Sequence, residues 1–302
     1  MIKNDIKKLA CWIGGVFLFI CCLGLLVEPQ RADKKIAEAG PSIASSQSTE
    51  GEETRAEATA RPSKTMEEKQ EVMEQDLPIM EAFGLVYDYA NMTLPQVVQA
   101  YMDDMGIDSS QIAFSYKDLT SGQTYAMNDT QPMTAGSTYK LPLNMLVVDE
   151  VAAGKLSLEE RFDITNTSYE YKGEHDNVAA FDGAMSIPDM QEYSLVYSEN
   201  TPAYALAERL GGMDKAYSMF ERYGRSKAKI KTISGENKTT TDYYIQVLEY
   251  LWNNQEKYKD ILYFIGVSFP GEYYKRYLYD LTIYQKPGYV REALNVDAIV
   301  ME

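Results

Sequence analysis

The side chains best suited to chemistry lie on three segments far apart in the chain. The first is Thr134-Ala135-Gly136-Ser137-Thr138-Tyr139-Lys140. If a helix opens at Ser137, its hydroxyl and the Lys140 amine fall three residues apart on one face, within reach of each other. Burial among apolar neighbours disfavours a charged lysine, so Lys140 can accept the Ser137 proton and make a serine nucleophile without a histidine. Leu141, Leu143, Leu146 and Val147 would sink that helix into a core. Pro142 is tolerable near its start, where several N–H groups lack internal partners anyway. Alone, this Ser-Xaa-Xaa-Lys spacing is unspecific, since an N-cap serine and a surface lysine give the same pattern. Two further segments add weight. Ser198-Glu199-Asn200 precedes an amphipathic stretch with Pro202 in its first turn and Gly211-Gly212 at its end. Lys286-Pro287-Gly288 ends a strand-like run near the C-terminus.

The elements that must position these residues can be read from periodicity. The chain has 302 residues, 45% of them hydrophobic, which leaves room for one sizeable domain with appendages or two small ones. Apolar periodicity runs from Leu77 onward. Pro95 to Met105 reads as a helix with Val97, Val98, Tyr101 and Met105 on one side. Gln111 to Asp118 and Gln123 to Met127 read as strands joined by the turn Thr120-Ser121-Gly122. A helical region begins near Ser137, and strands return at Tyr279 to Tyr284 and Asn295 to Met301. Strands at both ends with helices between them predict an α+β domain whose N- and C-terminal strands form one antiparallel sheet packed with the helical region.

Upstream, Lys3, Lys7 and Lys8 precede an uncharged run from Leu9 to Val27 that is long enough to cross a bilayer as a helix. Residues 1–8 are expected as a cytoplasmic basic segment and 9–27 as a single-pass signal anchor in the cell membrane. A cleaved signal peptide competes with that reading, although no Ala-Xaa-Ala site follows promptly. Residues 28–76, poor in aromatic and large aliphatic side chains, are expected to be a flexible or partly helical polar stalk. Residues 77–302 would then form the extracytoplasmic domain.

Composition also narrows the chemistry. With 29 basic and 45 acidic side chains the formal charge is −16, which argues against nucleic acid as the main partner. Cys11, Cys21 and Cys22 all fall in the apolar run, so the domain has no disulfide and no thiolate metal site, and no metal or other cofactor is expected. No Gly-rich phosphate loop of the Walker type occurs. His175, the only histidine, lies in the polar stretch Tyr171 to Asn177 and reads as an ordinary exposed or rim histidine rather than a catalytic base. The 24 tyrosines could stack sugars in a groove, but tyrosine more often packs with its hydroxyl at the surface.

Taken in order, the three segments resemble the penicillin-recognising serine enzymes, and most closely the class A β-lactamase domain with its Ser-Xaa-Xaa-Lys, Ser-Asp-Asn and Lys-Thr-Gly signatures. The similarity extends to the hairpin Ile112 to Met127, to Gly154-Lys155-Leu156, and to Thr239-Thr240-Thr241-Asp242 before another helix. It implies a β-lactamase/transpeptidase-like fold. It also implies that Ser137 is the acylated nucleophile, Lys140 its activator and Ser198 a proton relay to the leaving nitrogen. Asn200 would bind the substrate amide, Lys286 the substrate carboxylate, and Gly288 would let its strand lie close to the ligand. The N–H groups of Ser137 and Tyr289 would form the oxyanion hole.

The departures from the family pattern bear on function. Glu199 replaces an Asp, and Pro287 replaces a Thr whose hydroxyl would help bind a carboxylate. Class A enzymes carry a Glu-Xaa-Xaa-Leu-Asn loop whose glutamate activates the deacylating water. Between Gly212 and Thr239 the candidate glutamates are Glu221 and Glu236, and neither has the Leu-Asn partner. The family usually continues with another strand and a C-terminal helix, so the end at Glu302 is expected to be a truncation. Three readings follow. The first is a membrane-anchored, monomeric serine hydrolase that hydrolyses or is acylated by β-lactams. The second is a slow-deacylating penicillin-binding or D-Ala-D-Ala peptidase-like enzyme acting on peptidoglycan stem peptides. The third is a non-catalytic cell-wall sensor that retains the fold.

Overall fold

In the computed structural model, residues 65–82, 89–164, 167, 181, 183–278, 281–291 and 293–301 are described. The basic segment, the apolar run 9–27, residues 28–64 of the polar stretch and His175 lie outside them. Among the described residues no helix is long and apolar enough to cross a membrane.

Helix α1, Met66–Ala82, begins inside the polar stretch. Its start is fixed by a reciprocal cap: Thr65 N–H donates to Glu68 Oε2 at 2.6 Å and Glu68 N–H to Thr65 Oγ1 at 3.2 Å. Helix α2, Leu94–Met105, covers the predicted Pro95 to Met105. The Gln96 side chain closes on the Thr93 N–H at 2.7 Å, and Gly106 ends the helix at φ 67°. The predicted hairpin follows as β1, Phe114–Lys117, and β2, Thr124–Met127, with Phe114 opposite Met127 and Lys117 opposite Thr124. Asp118 builds its turn, accepting from Thr120 N at 2.8 Å and Ser121 Oγ at 2.5 Å.

A short strand β3, Met133–Thr134, leads through a 3₁₀ turn, Gly136–Tyr139, into helix α3, Lys140–Ala152. This helix is buried on nearly every side. Leu141, Leu143, Met145, Leu146 and Val147 are all fully buried, so it forms the centre of the domain rather than a surface layer. Strands β4, Arg161–Asp163, and β5, Ala184–Ser186, pair as a small ladder. Then come α4, Ile187–Leu195, α5, Asn200–Arg209, and α6, Met213–Met219, all packed against α3. Strand β6, Lys238–Thr239, pairs with β3. Helices α7, Thr241–Asn253, α8, Lys259–Val267, and α9, Tyr274–Tyr277, precede the C-terminal hairpin of β7, Thr282–Val290, and β8, Ala293–Met301.

The α+β class stands, with a different strand arrangement from the one expected. The described strands form four separate two-stranded antiparallel ladders, and the N- and C-terminal hairpins do not share one sheet. Helix α7 joins them, since both β1 and β8 pack on it. Ser115 Oγ donates to Thr241 Oγ1 at 2.9 Å, Lys117 pairs with Glu249, and Trp252 rests on Tyr284 with ring centroids 6.1 Å apart. The last strand pair also differs from expectation. Lys286-Pro287-Gly288 lies within β7, which runs on to Val290. An antiparallel ladder uses the N–H of alternate residues facing the partner, so a proline can stand in it without breaking it.

Candidate active site

Ser137 lies in the 3₁₀ turn that feeds α3, and the turn is held from two sides. On one side, β3 pairs with β6, and Ala135 N–H donates to Asn237 O at 2.8 Å. On the other, Thr138 Oγ1 bonds Ala135 O and Tyr244 OH, each at 2.9 Å. Gly136 supplies the left-handed backbone that the turn needs, at φ 58°.

Strand β7 lies directly against this turn. A Cβ on Gly288 would come within 2.5 Å of Ala135 O and 2.7 Å of Ser137 N, closer than any side chain tolerates. Gly288 therefore lets the β7 backbone reach the nucleophile's own peptide. Tyr289 is 55% exposed, so its side chain points outward while its backbone follows Gly288 past the turn.

The opposite wall is the Ser198–Asn200 segment at the entry to α5. Lys140, fully buried in the first turn of α3, donates through Nζ to Ser198 O at 2.5 Å and to Asn200 Oδ1 at 2.9 Å. Lys286, also fully buried, donates to Ser198 Oγ at 2.7 Å and to Pro287 O at 3.0 Å. Ser198 is thus held at its carbonyl by one lysine and at its hydroxyl by the other. It adopts φ 60°, a left-handed backbone unusual for a serine. Because Lys286 donates to Ser198 Oγ, the Ser198 O–H can donate elsewhere.

The structure therefore brings together Ser137, Lys140, Ser198, Asn200, Lys286 and Gly288, with the Tyr289 backbone beside them. The two departures take up defined positions. Glu199 is the N-cap residue of α5, its N–H bonded to Tyr193 O at 3.0 Å. Pro287 is buried opposite Val296, and its carbonyl receives Lys286. Glu221 is exposed and pairs with Arg225 at 3.5 Å, while Glu236 is exposed in the loop before β6. That loop is tied down by Asp242, which accepts from Ser226 Oγ at 2.6 Å, Lys227 N at 2.7 Å and Thr240 Oγ1 at 2.5 Å.

Two features were not anticipated from the sequence. Tyr244 clamps the turn through Thr138. Asp297, on β8, stands opposite Lys286 in the β7–β8 register and is 9% exposed. An acid at an inward position of the apolar strand Asn295 to Met301 was the available signal, because residues 295, 297 and 299 share one face. Burial, reinforced by the nearby charge of Lys140, pushes the Lys286 amine well below the usual lysine range, and Asp297 pulls it back. Burial likewise pushes the Asp297 carboxyl well up, opposed by Lys286.

Residues 95–302 match the family model Beta-lactamase2, described as the beta-lactamase enzyme family. No curated protein matches the chain. Among solved structures, the class A β-lactamase of the last common ancestor of Gram-negative bacteria (GNCA4) is 19% identical, with 63% of this chain and 79% of that one covered at a TM-score of 0.54. A variant of GNCA4 is 20% identical, with 62% and 77% covered at 0.53. The ancestral GNCA class A β-lactamase is 17% identical, with 63% and 79% covered at 0.51. At these identities the likeness is one of fold.

Proposed function

The chain belongs to the beta-lactamase enzyme family, and from that premise we propose that it is a serine acyl-transfer enzyme acting on a β-lactam or a peptidoglycan stem peptide. The observation that carries this reading is the hydrogen-bonded series Lys140, Ser198, Lys286 set beside the Ser137 turn.

Each group has a step. Two N–H bonds of Lys140 are directed to Ser198 O and Asn200 Oδ1, and as a neutral amine it offers its lone pair to the Ser137 hydroxyl one turn away. Two buried ammonium groups disfavour each other, which helps keep one of the two lysines neutral. Ser137 Oγ bonds to the carbonyl carbon as its proton passes to Lys140. The oxyanion that develops is met by the N–H groups of Ser137 and Tyr289. The C–N bond then breaks as Ser198 passes a proton to the leaving nitrogen, the proton taken up by Lys140 restoring the balance. Lys286 attracts the substrate carboxylate, and Asn200 holds its amide.

Release of the acyl group is the slow step in this reading. Glu221 and Glu236 are the glutamates between Gly212 and Thr239, and both are exposed. Water activation thus lacks the family's glutamate, which favours the penicillin-binding or peptidase-like variant over a fast hydrolase. The uncharged run 9–27 and the polar stretch 28–76 support a single-pass tether that holds the domain outside the membrane.

The test is incubation of the protein and of Ser137→Ala with a fluorescent penicillin, followed by intact mass measurement. A stable adduct of one penicillin on the unaltered protein, absent from Ser137→Ala, is the expected result. No Ser137-dependent adduct after long exposure refutes acyl transfer and leaves a non-catalytic wall-binding module. Rapid loss of the adduct with multiple turnover refutes slow release.

A further inference from the structure

Lys286 poses an electrostatic problem. It has no exposed surface, its hydrogen-bond acceptors Ser198 Oγ and Pro287 O are both neutral, the Phe269 ring 5.6 Å away offers only a cation–π contact, and its neighbour Lys140 is a second base whose charge would oppose its own. An ammonium in such a place loses its proton unless a negative charge faces it. A neutral Lys286 would have little attraction for an anionic substrate.

The facing group is Asp297. In the β7–β8 ladder it is the direct partner of Lys286, and directly opposed residues of an antiparallel pair project to the same face. Asp297 Oδ2 is buried with no hydrogen-bond partner among the described residues. An unbonded buried carboxylate oxygen is costly, so its persistence beside a buried amine asks for an electrostatic reason. Glu199, next to Ser198, is the N-cap residue of α5, whereas Asp297 is the carboxyl whose charge acts on the amine, and the remaining titratable groups do not supply it. Tyr243 and Tyr244 of α7 are buried phenols, Lys140 is a base, and Lys275 beyond α8 is spent on the carbonyls of Gly266 and Ser268 at 2.7 Å and 2.6 Å.

We propose that Asp297 is the positioning residue that keeps Lys286 cationic across the β7–β8 ladder, so that recognition of a carboxylate-bearing substrate depends on a residue the substrate does not touch. Its own buried position makes the coupling strong, because little water intervenes. Burial acts against both charges, and the charge of each group opposes that effect on the other. The substrate carboxylate then arrives at a lysine already charged by the scaffold.

The proposal rests on the acyl-transfer reading only for its effect on substrate, and the experiment separates the two. The first arm is a carbon NMR titration of lysine side chains labelled at Cε, with Lys286 assigned through Lys286→Arg. It needs no reaction. In Asp297→Asn the Lys286 titration is expected to move to lower pH by about one to two units, the size of a Coulomb interaction at an effective dielectric constant of about 20. The second arm is the pH profile of Ser137 acylation by a carboxylate-bearing β-lactam. Its alkaline limb is expected to shift in the same direction, with Asp297→Glu restoring most of the displacement. An unchanged Lys286 titration in folded Asp297→Asn overturns the proposal, since Asp297 is then uncharged at neutral pH. Should Asp297→Asn fail to fold, Asp297→Glu decides: the same Lys286 titration as in the unaltered protein supports the pairing, and a downward shift as large as that expected of the amide refutes it. Absence of any adduct on the unaltered protein removes the substrate reading and leaves the lysine titration to judge Asp297 alone.

Discussion

Replacing Gly288 by alanine tests how the two halves of the site meet. The added Cβ would lie 2.5 Å from Ala135 O and 2.7 Å from both Ser137 N and Thr138 N. To regain ordinary contact of 3.4 Å, either β7 or the nucleophile turn must give way by about 0.9 Å at the carbonyl oxygen. The turn has little freedom, being fixed by the β3–β6 ladder and by the Thr138–Tyr244 hydrogen bond, so the strand should move. Overpacking of this kind costs about 1–3 kcal/mol, or about 2–12 °C in Tm for a domain of this size. The chemical consequence is larger. A displacement near 1 Å at a reacting centre costs about 100-fold in rate, and here it separates the Tyr289 N–H from that of Ser137. Differential scanning calorimetry and stopped-flow acylation by a chromogenic cephalosporin measure the two effects. A lowered Tm with an unchanged acylation rate would refute the assignment of β7 to the oxyanion site. An unchanged Tm would refute the close approach itself.

Two predictions concern the scaffold. Asp149 in α3 accepts from Arg222 Nη1 at 2.9 Å, Tyr223 OH at 2.8 Å, Tyr258 OH at 2.7 Å and Lys257 Nζ at 2.6 Å. Burial pushes its carboxyl up, but these donors outweigh burial and hold it below the usual aspartate range. With the folded value depressed, its contribution is complete above about pH 4, the unfolded range, and is lost as pH falls through the folded value. Asp149→Asn should therefore cost about 2 kcal/mol or more at neutral pH and flatten the acid limb of the stability curve, as read by urea unfolding at several pH values. Leu146→Ala, at the fully buried centre of α3, should cost about 2–5 kcal/mol in the same assay while leaving the pH dependence unchanged.

Local patterns in the sequence carried far in this protein, and cross-chain geometry did not. Ser137 and Lys140 were legible because both sit on one turn that runs into an apolar helix, and Ser198 and Asn200 because a recognisable helix start follows them. Thr65-Met66-Glu67-Glu68 has the reciprocal capping pattern of a helix start, yet the polar composition around it drew the reading toward a stalk. The pairing of strands was harder. Alternation tells which residues share a face but not which strand lies alongside, so the two terminal hairpins were expected in one sheet although each is laddered only to itself. For the same reason the sequence alone does not single out Asp297, whose meaning depends on the register that sets it against Lys286. The Asp149 cluster draws on side chains 73 or more residues away, a distance at which periodicity carries no information.

The intact and altered positions of the site divide along the reaction coordinate. The groups that the proposed acylation uses are present: Lys140, Ser198 and Lys286 form a hydrogen-bonded series, and the serine turn leads directly into the helix that carries Lys140. The absences fall on carboxylate capture, where Pro287 has no side-chain hydroxyl to offer substrate, and on water activation, where no Glu-Xaa-Xaa-Leu-Asn segment occurs. Loss of a substrate contact made equally in the bound and transition states weakens binding without slowing the bond-making step. Loss of a general base acts on the water step alone. If the proposed acyl transfer holds, this combination predicts an acyl group taken with modest affinity and retained, and kinetics should divide accordingly: saturation at high substrate, a normal acylation plateau, and a release rate far below it.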